Sequence, residues 1–218
     1  MKFSGYIFDF DGLIVDTEMP RYIAWREEYE KYGQTLTIRD WWIAIGTGPA
    51  IFDPAKQLSE LTERKVSPEK ILEVVDARSY ELMEEVTLLP GVREFITNTY
   101  ALGIPMAVAS SSSRTWVFDH LEHFKLLPFF RSIVTAEDVK NVKPDPELYL
   151  LALRNLELTN ISVCAFEDSP NGIKAAKAAG LNCLAIPNLI TREMDLSQAD
   201  KVYGSFCDFE PDSDFDFS

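Results

Sequence analysis

Phe8-Asp9-Phe10-Asp11-Gly12-Leu13-Ile14-Val15-Asp16-Thr17 closes the first apolar run of the chain, Tyr6–Phe10. Four more such runs follow: Ile104–Ala109, Ser132–Thr135, Ser162–Phe166 and Cys183–Pro187. Each spans four to six residues and is apolar at consecutive positions rather than alternate ones. That pattern fits strands buried on both faces, as in a parallel sheet. Helical patterns lie between them, at Val92–Tyr100, Ser113–His123, Pro146–Asn155 and Pro170–Ala179. Strand–helix alternation of this kind implies a doubly wound α/β core.

Residues Asp16 to about Leu88 break the rhythm. Tyr22, Trp25, Tyr29 and Tyr32 recur at i, i+3, i+7 and i+10, one helical face, and Gly33 can close that helix. Ser67-Pro68 offers an N-cap followed by proline at the first helical position, for a helix carrying Ile71, Val74, Val75 and Leu82. Gly46, Gly48 and Pro49 interrupt the pattern. About 70 helical residues between the first two strands read as a separate cap, and Leu89-Pro90-Gly91 marks the return to the core. The expected division is a core of 1–15 and 89–204, a helical cap domain of 16–88, and an acidic tail of 205–218.

The chain has 218 residues, enough to bury roughly 70% of its unfolded surface without staples. At 46% apolar and 26% charged it is ordinary globular composition, not a disordered one. No apolar run approaches the length of a membrane span. Met1-Lys2-Phe3-Ser4-Gly5 lacks the pattern of a signal peptide, and the cytoplasm is the expected compartment. Cys164, Cys183 and Cys207 are an odd count without metal spacing. Cys164 and Cys183 lie in apolar runs and are expected as buried free thiols. A net charge of −14 argues against nucleic acid and anionic membranes as partners. In the tail, Asp208, Glu210, Asp212, Asp214 and Asp216 alternate with Phe206, Phe209, Phe215 and Phe217, and a frayed, solvated end is expected.

The loops that close the strands carry the candidate chemistry, because ligands of α/β sheets bind at the carboxyl ends of strands. Asp9 and Asp11, two apart, would aim to one face, with the chain turning at Gly12. Two ionised carboxylates this close need a cation or hydrogen bonds, although Asp-x-Asp also occurs in surface turns and glycosyltransferases. Phe166-Glu167-Asp168-Ser169-Pro170 ends another strand and opens a helix. Glu167 or Asp168 could simply cap that helix; paired with Asp9 and Asp11, a shared divalent-ion site becomes the better reading. The run Ser110-Ser111-Ser112-Ser113 offers hydroxyl and N–H groups to a phosphate, or is a plain loop and cap. Pro144 keeps Lys143 out of helix, so its ammonium can reach the strand ends; alone it reads as a solvated lysine. His120 and His123 fall on a core helix, far from the strand ends, as structural or exposed residues.

Asp-x-Asp-Gly, then Ser110, then Lys143-Pro144, then Glu167-Asp168-Ser169, each closing a strand, together resemble the haloacid dehalogenase superfamily. Asp16-Thr17-Glu18, Leu89-Pro90-Gly91-Val92 and Ser169-Pro170-Asn171-Gly172-Ile173-Lys174-Ala175-Ala176 are similar to its branch of small-molecule phosphatases and β-phosphoglucomutases. The resemblance covers nearly the whole chain except the tail. It implies a Rossmann-like core with strand order 5-4-1-2-3 and an inserted helical cap. It implies Asp9 as nucleophile and Asp11 as general acid and base. Mg²⁺ would sit on the Asp9 carboxylate, the Asp11 main-chain carbonyl and Asp168, with Glu167 behind them. Ser110, Ser111 and Lys143 would hold the phosphoryl oxygens.

Departures from the family narrow the expectation. Dehalogenases lack the second acid, which Asp11 supplies. Phosphonoacetaldehyde hydrolases use a cap lysine, and Trp41 to Ala55 contains none. The mutases carry a histidine after the first motif and an arginine after the cap glycine, where this chain has Arg21 and Pro49. The expected protein is a Mg²⁺-dependent phosphatase of a small phosphorylated metabolite. A phosphomutase and a non-catalytic binding protein on the same fold are the alternatives. The substrate would be set by cap residues around Ile45–Pro49, and a monomer is the expected state, as is common in the resembled branch.

Overall fold

The computed structural model describes residues 3–44 and 53–209, and the side chains of all of these but 43 and 44. The Ile45–Pro49 stretch and the tail beyond Phe209 lie outside the described residues. The chain divides into two compact units, Met1–Val15 with Leu88–Ser218, and Asp16–Thr87.

The first unit is a parallel sheet of β1 (Gly5–Phe8), β2 (Met106–Ala109), β3 (Ser132–Val134), β4 (Val163–Glu167), β5 (Asn182–Ala185) and β6 (Lys201–Val202), in the order β3-β2-β1-β4-β5-β6. This is the expected 5-4-1-2-3 order with a sixth strand added beside β5. The consecutive apolar residues are explained by burial on both faces. Ile7, Ala107, Ala165 and Cys183 face one core with Leu148, Tyr149, Ala152, Ile173 and Ala176. Those partners come from the helices Glu147–Leu156 and Pro170–Ala178. Tyr6, Phe8 and Phe166 enter an aromatic cluster with Phe95, from the helix Val92–Ala101. The helix Arg114–His123 follows β2. Leu89 N–H donates to Ile14 C=O at 3.1 Å, and Val15 pairs with Leu88, so the chain leaves the core and returns at one place.

The expectation of a solvated tail is corrected over residues 205–209. Phe206 and Phe209 are buried, and both rings lie 5.3 Å from Phe95. A 3₁₀ turn at Phe206–Asp208, with Ser205 Oγ accepting from Cys207 N–H, puts residues three apart on one side. The two phenylalanines therefore reach the core while Asp208 stays exposed. The acidic spacing that looks disordered is here an amphipathic turn.

Among its described residues the second unit has four helices, in chain order Glu18–Lys31, Ile38–Ala44, Pro54–Leu61 and Pro68–Met83. Ser67 caps the last by accepting from Lys70 N–H, with Pro68 opening it, as the sequence predicts. Tyr22, Trp25 and Tyr29 of the first helix are buried, as are Ile71 and Val75 of the last. Tyr29 Oη donates to Pro54 C=O at 2.9 Å, and Arg78 pairs with Glu27 at 2.8 Å. No helix among the described residues is long and apolar enough to cross a membrane.

Candidate active site

The chain leaves the sheet after Phe8, two residues sooner than the apolar run implies, so Asp9 stands at the tip of the central strand. Its N–H donates to Phe166 C=O at 3.0 Å, which aligns the end of β1 with that of β4. Lys143 reaches the same point from the loop after β3. That loop is fixed by Glu147, whose carboxylate accepts from Lys140 N–H and Asn141 N–H, both at 2.8 Å. The Lys143 ammonium donates to Asp9 Oδ1 and, at 2.7 Å, to Glu167 Oε1. Glu167, fully buried at the end of β4, also accepts from Tyr149 Oη and from Asp168 N–H. Asp9, Glu167 and Asp168 each bring a carboxylate oxygen within 4.8 Å of the others.

Three buried carboxylates against one lysine leave an excess of negative charge. Burial pushes the Asp9 carboxyl up to about 7; Lys143 opposes the rise, and Glu167 and Asp11 reinforce it. Burial alone would pull the Lys143 ammonium down, but Asp9 and Glu167 outweigh it and hold it above the usual lysine range. Burial, then the neighbouring Glu167 charge, raises the Tyr149 phenol, which therefore stays a donor. An all-oxygen carboxylate set with uncompensated charge fits a hard divalent cation.

Asp168 is held from the fifth strand. Asn188, in the loop after β5, donates from Nδ2 to Asp168 Oδ2 at 2.8 Å and to Gly12 C=O at 3.0 Å. Asn188 Oδ1 accepts from Ile190 N–H and Thr191 N–H, so its amide cannot rotate without losing bonds. Gly12 has φ +78°, and a Cβ there would lie 2.6 Å from both Asn188 Nδ2 and Asp168 Oδ2. Only glycine suits that turn.

Asp11 belongs to a different group of donors. Ser112 Oγ donates to its Oδ2 at 2.6 Å, Ser110 Oγ lies 3.4 Å from the same oxygen, and Trp116 Nε1–H donates to Oδ1 at 2.8 Å. Ser110 is fully buried, and its Oγ also accepts from Ser112 N–H at 3.0 Å. Ser111 is exposed, and Ser112 rather than Ser111 meets Asp11. The expectation that His120 lies far from the strand ends is corrected. Its ring sits 4.1 Å from the Trp116 ring, and its Nδ1 is 2.8 Å from Trp116 C=O. One helical turn separates the two residues, so the helix after β2 carries both to the site's edge.

The structure thus brings Asp9, Asp11, Ser110, Lys143, Glu167 and Asp168 to one end of one sheet. Patterning does not single out Tyr149, Asn188, Thr191 or Trp116. Asn188 had a signal, since it follows the fifth strand as the other candidates follow theirs. Tyr149 and Trp116 had none, because on a helix each reads as a core aromatic.

Comparisons with known proteins agree with this geometry. Residues 6–186 match the family model described as haloacid dehalogenase-like hydrolase. The chain is 40% identical over 207 residues to a Bacillus subtilis (strain 168) protein named "Putative phosphatase YhcW", covering 95% of this chain and 94% of that one. It is 35% identical to the "Phosphorylated carbohydrates phosphatase" of Thermotoga maritima, over 82% of each chain. Among solved structures, a haloacid dehalogenase family hydrolase from Deinococcus radiodurans R1, with bound phosphate and sodium, superposes with a TM-score of 0.79 at 25% identity. That match covers 94% of this chain and 93% of the other. A parallel sheet in this order, an acidic cluster with a lysine at its carboxyl end, and a family match over most of the length lead to one conclusion: the chain belongs to the haloacid dehalogenase-like hydrolases.

Proposed function

We propose that the protein is a Mg²⁺-dependent phosphatase that hydrolyses a small phosphorylated metabolite, of the phosphorylated-sugar class, through an aspartyl phosphate on Asp9. The reading rests on one observation: Asp9, at the tip of the central strand, shares the Lys143 ammonium with Glu167 and forms one carboxylate cluster with Glu167 and Asp168. In the first step an Asp9 oxygen bonds to phosphorus as the bond from phosphorus to the ester oxygen breaks. Asp11 gives its proton to that oxygen, which leaves as an alcohol. In the second step Asp11 takes a proton from water, the water oxygen bonds to phosphorus, and the Asp9 oxygen leaves with the bonding pair. Inorganic phosphate and the free carboxylate result.

Lys143, Ser110 and the Ser111 segment hold the phosphoryl oxygens in this reading. The Asp9 and Asp168 carboxylates and the Asp11 main-chain carbonyl would hold the cation. Glu167, committed to Lys143 and Tyr149, acts from behind them. When bound, the cation supplies the positive charge that lets a phosphate dianion approach three carboxylates. Residues 16–88 serve as the cap and carry the choice of substrate. Mutases of the resembled branch carry a histidine where this chain has Arg21 and an arginine where it has Pro49, and the absence of both favours a phosphatase.

The test is a panel of phosphorylated sugars assayed for free phosphate with Mg²⁺ and with EDTA. Release that depends on the cation is expected. Supplying β-glucose 1-phosphate, with and without a glucose 1,6-bisphosphate primer, separates the alternative. Glucose 6-phosphate formed much faster than free phosphate would make the protein a mutase. No turnover of any ester would make it a binding protein.

A further inference from the structure

We infer that Trp116 is a positioning residue for the proton transfers of Asp11: its indole N–H occupies Oδ1 and thereby assigns the transferable proton to Oδ2. The inference rests on the role proposed for Asp11 and goes beyond it by saying which oxygen acts and what fixes it. An indole nitrogen only donates, so the oxygen it meets must be an acceptor. Trp116 Nε1 lies 2.8 Å from Oδ1. A serine hydroxyl can donate or accept, and the two hydroxyls near Asp11, those of Ser112 at 2.6 Å and Ser110 at 3.4 Å, both face Oδ2. They can therefore reverse to accept a proton carried on Oδ2, which Trp116 cannot do at Oδ1. Oδ2 is also the oxygen on the side of buried Ser110.

The indole is itself fixed. Ser113 Oγ caps the helix by accepting from the backbone N–H of Trp116 at 3.4 Å, and side chains in this first turn lean back towards the helix start, which here is the sheet end. The His120 ring lies 4.1 Å from the indole ring, and Phe10 makes an edge contact with His120 at 6.1 Å. A ring held on this scale delivers its N–H to one place.

The experiment compares wild type, Trp116→Phe and Asp11→Asn on two esters with Mg²⁺. p-Nitrophenyl phosphate loses a phenolate that needs no proton; an alkyl ester such as glycerol phosphate loses an alkoxide that does. The quantity read is kcat/KM, which reports the step that expels the leaving group. Trp116→Phe keeps an aromatic ring against His120 and loses the donor. It should lower kcat/KM for the alkyl ester about 10- to 100-fold while changing the aryl ester less than about threefold. A loss equal on both esters, or no loss, overturns the role of Trp116 even if Asp11→Asn shows the selective loss. If Asp11→Asn itself spares the alkyl ester, or wild type hydrolyses neither ester, the proposed role of Asp11 fails first and the inference falls with it. A second readout needs no Trp116 variant: the indole ¹⁵N–H resonance of Trp116 should shift upfield in Asp11→Asn. An unmoved resonance overturns the inference even where Trp116→Phe does not fold.

Discussion

At the scale of single residues the site is a question of charge. As the proposed nucleophile Asp9 must be ionised to attack phosphorus, yet burial pushes its carboxyl up to about 7, and Lys143 beside it offsets only part of that rise. Asp9→Asn keeps the shape and loses both the nucleophile and one negative charge. Turnover should fall on the order of 10³-fold or more. ³²P-labelled protein, trapped in acid from wild type and absent from the variant, checks that the lost step is covalent. Taken alone, Lys143 reads in the sequence as a solvated lysine. The structure buries its ammonium between Asp9 and Glu167. Lys143→Ala should therefore lower kcat about 10²-fold and also destabilise the cation-free protein by about 3–5 kcal/mol. Unchanged melting in EDTA would mean the buried carboxylates find other compensation.

Elements set where these residues stand. Each catalytic candidate follows a strand of one parallel sheet, so four loops converge on the site, and the Asn188 loop after β5 makes a fifth. The helix Pro170–Ala178 shows how tight the convergence is. Its first turn runs over the Glu167 carboxylate, and a Cβ on Gly172 would lie 1.9 to 2.0 Å from the carboxylate atoms. Gly172→Ala must push either the helix or Glu167 aside. Moving Glu167 would pull on Lys143 and Tyr149 together. The expected result is a loss of about 1–3 kcal/mol in stability from overpacking, accompanied by a fall in kcat. Melting and steady-state rates at wild-type values would show that Glu167 can shift without disturbing Lys143.

At the scale of the molecule, a net charge of −14 contains a site for an anion only because charge is arranged locally. A divalent cation bound to the folded chain and not to the unfolded one should raise its melting temperature. At a hundred times its dissociation constant the gain is about 2.7 kcal/mol, or roughly 5–10 °C for a chain of this size. The pH dependence follows from Asp9. Without a cation, its raised folded pKa means the folded state binds the proton more tightly. Stability contributed by Asp9 is thus present below the unfolded value of 3.8 and lost as pH rises to about 7. A cation competes with that proton, so the melting gain should be small near pH 5 and full above about pH 7. Differential scanning calorimetry with Mg²⁺ and EDTA across that range is the measurement. A gain independent of pH would remove Asp9 from the cation's ligands.

Local sequence determined the sheet, the helical second unit and the order of the chemical loops. Apolar runs of four to six residues specify buried strands without any knowledge of their neighbours. Asp9, Asp11, Ser110, Lys143, Glu167 and Asp168 are legible as an ordered set, in the loops that follow such runs, and the resemblance of that set to a family supplied their expected roles. What the tertiary structure alone decided are the links between residues distant in the chain. The Trp116–Asp11 bond spans 105 positions and the Asn188–Gly12 bond 176. Neither leaves a trace in periodicity, because a helix aromatic and a loop amide look the same whether they meet solvent, core or carboxylate. Burial of Phe206 and Phe209 is decided in the same way. Their acidic neighbours imply solvation, and only the presence of Phe8, Phe95 and Phe166 at one sheet face gives them an apolar surface to cover. Patterning reports what a residue prefers; which partner satisfies that preference depends on how the chain closes on itself.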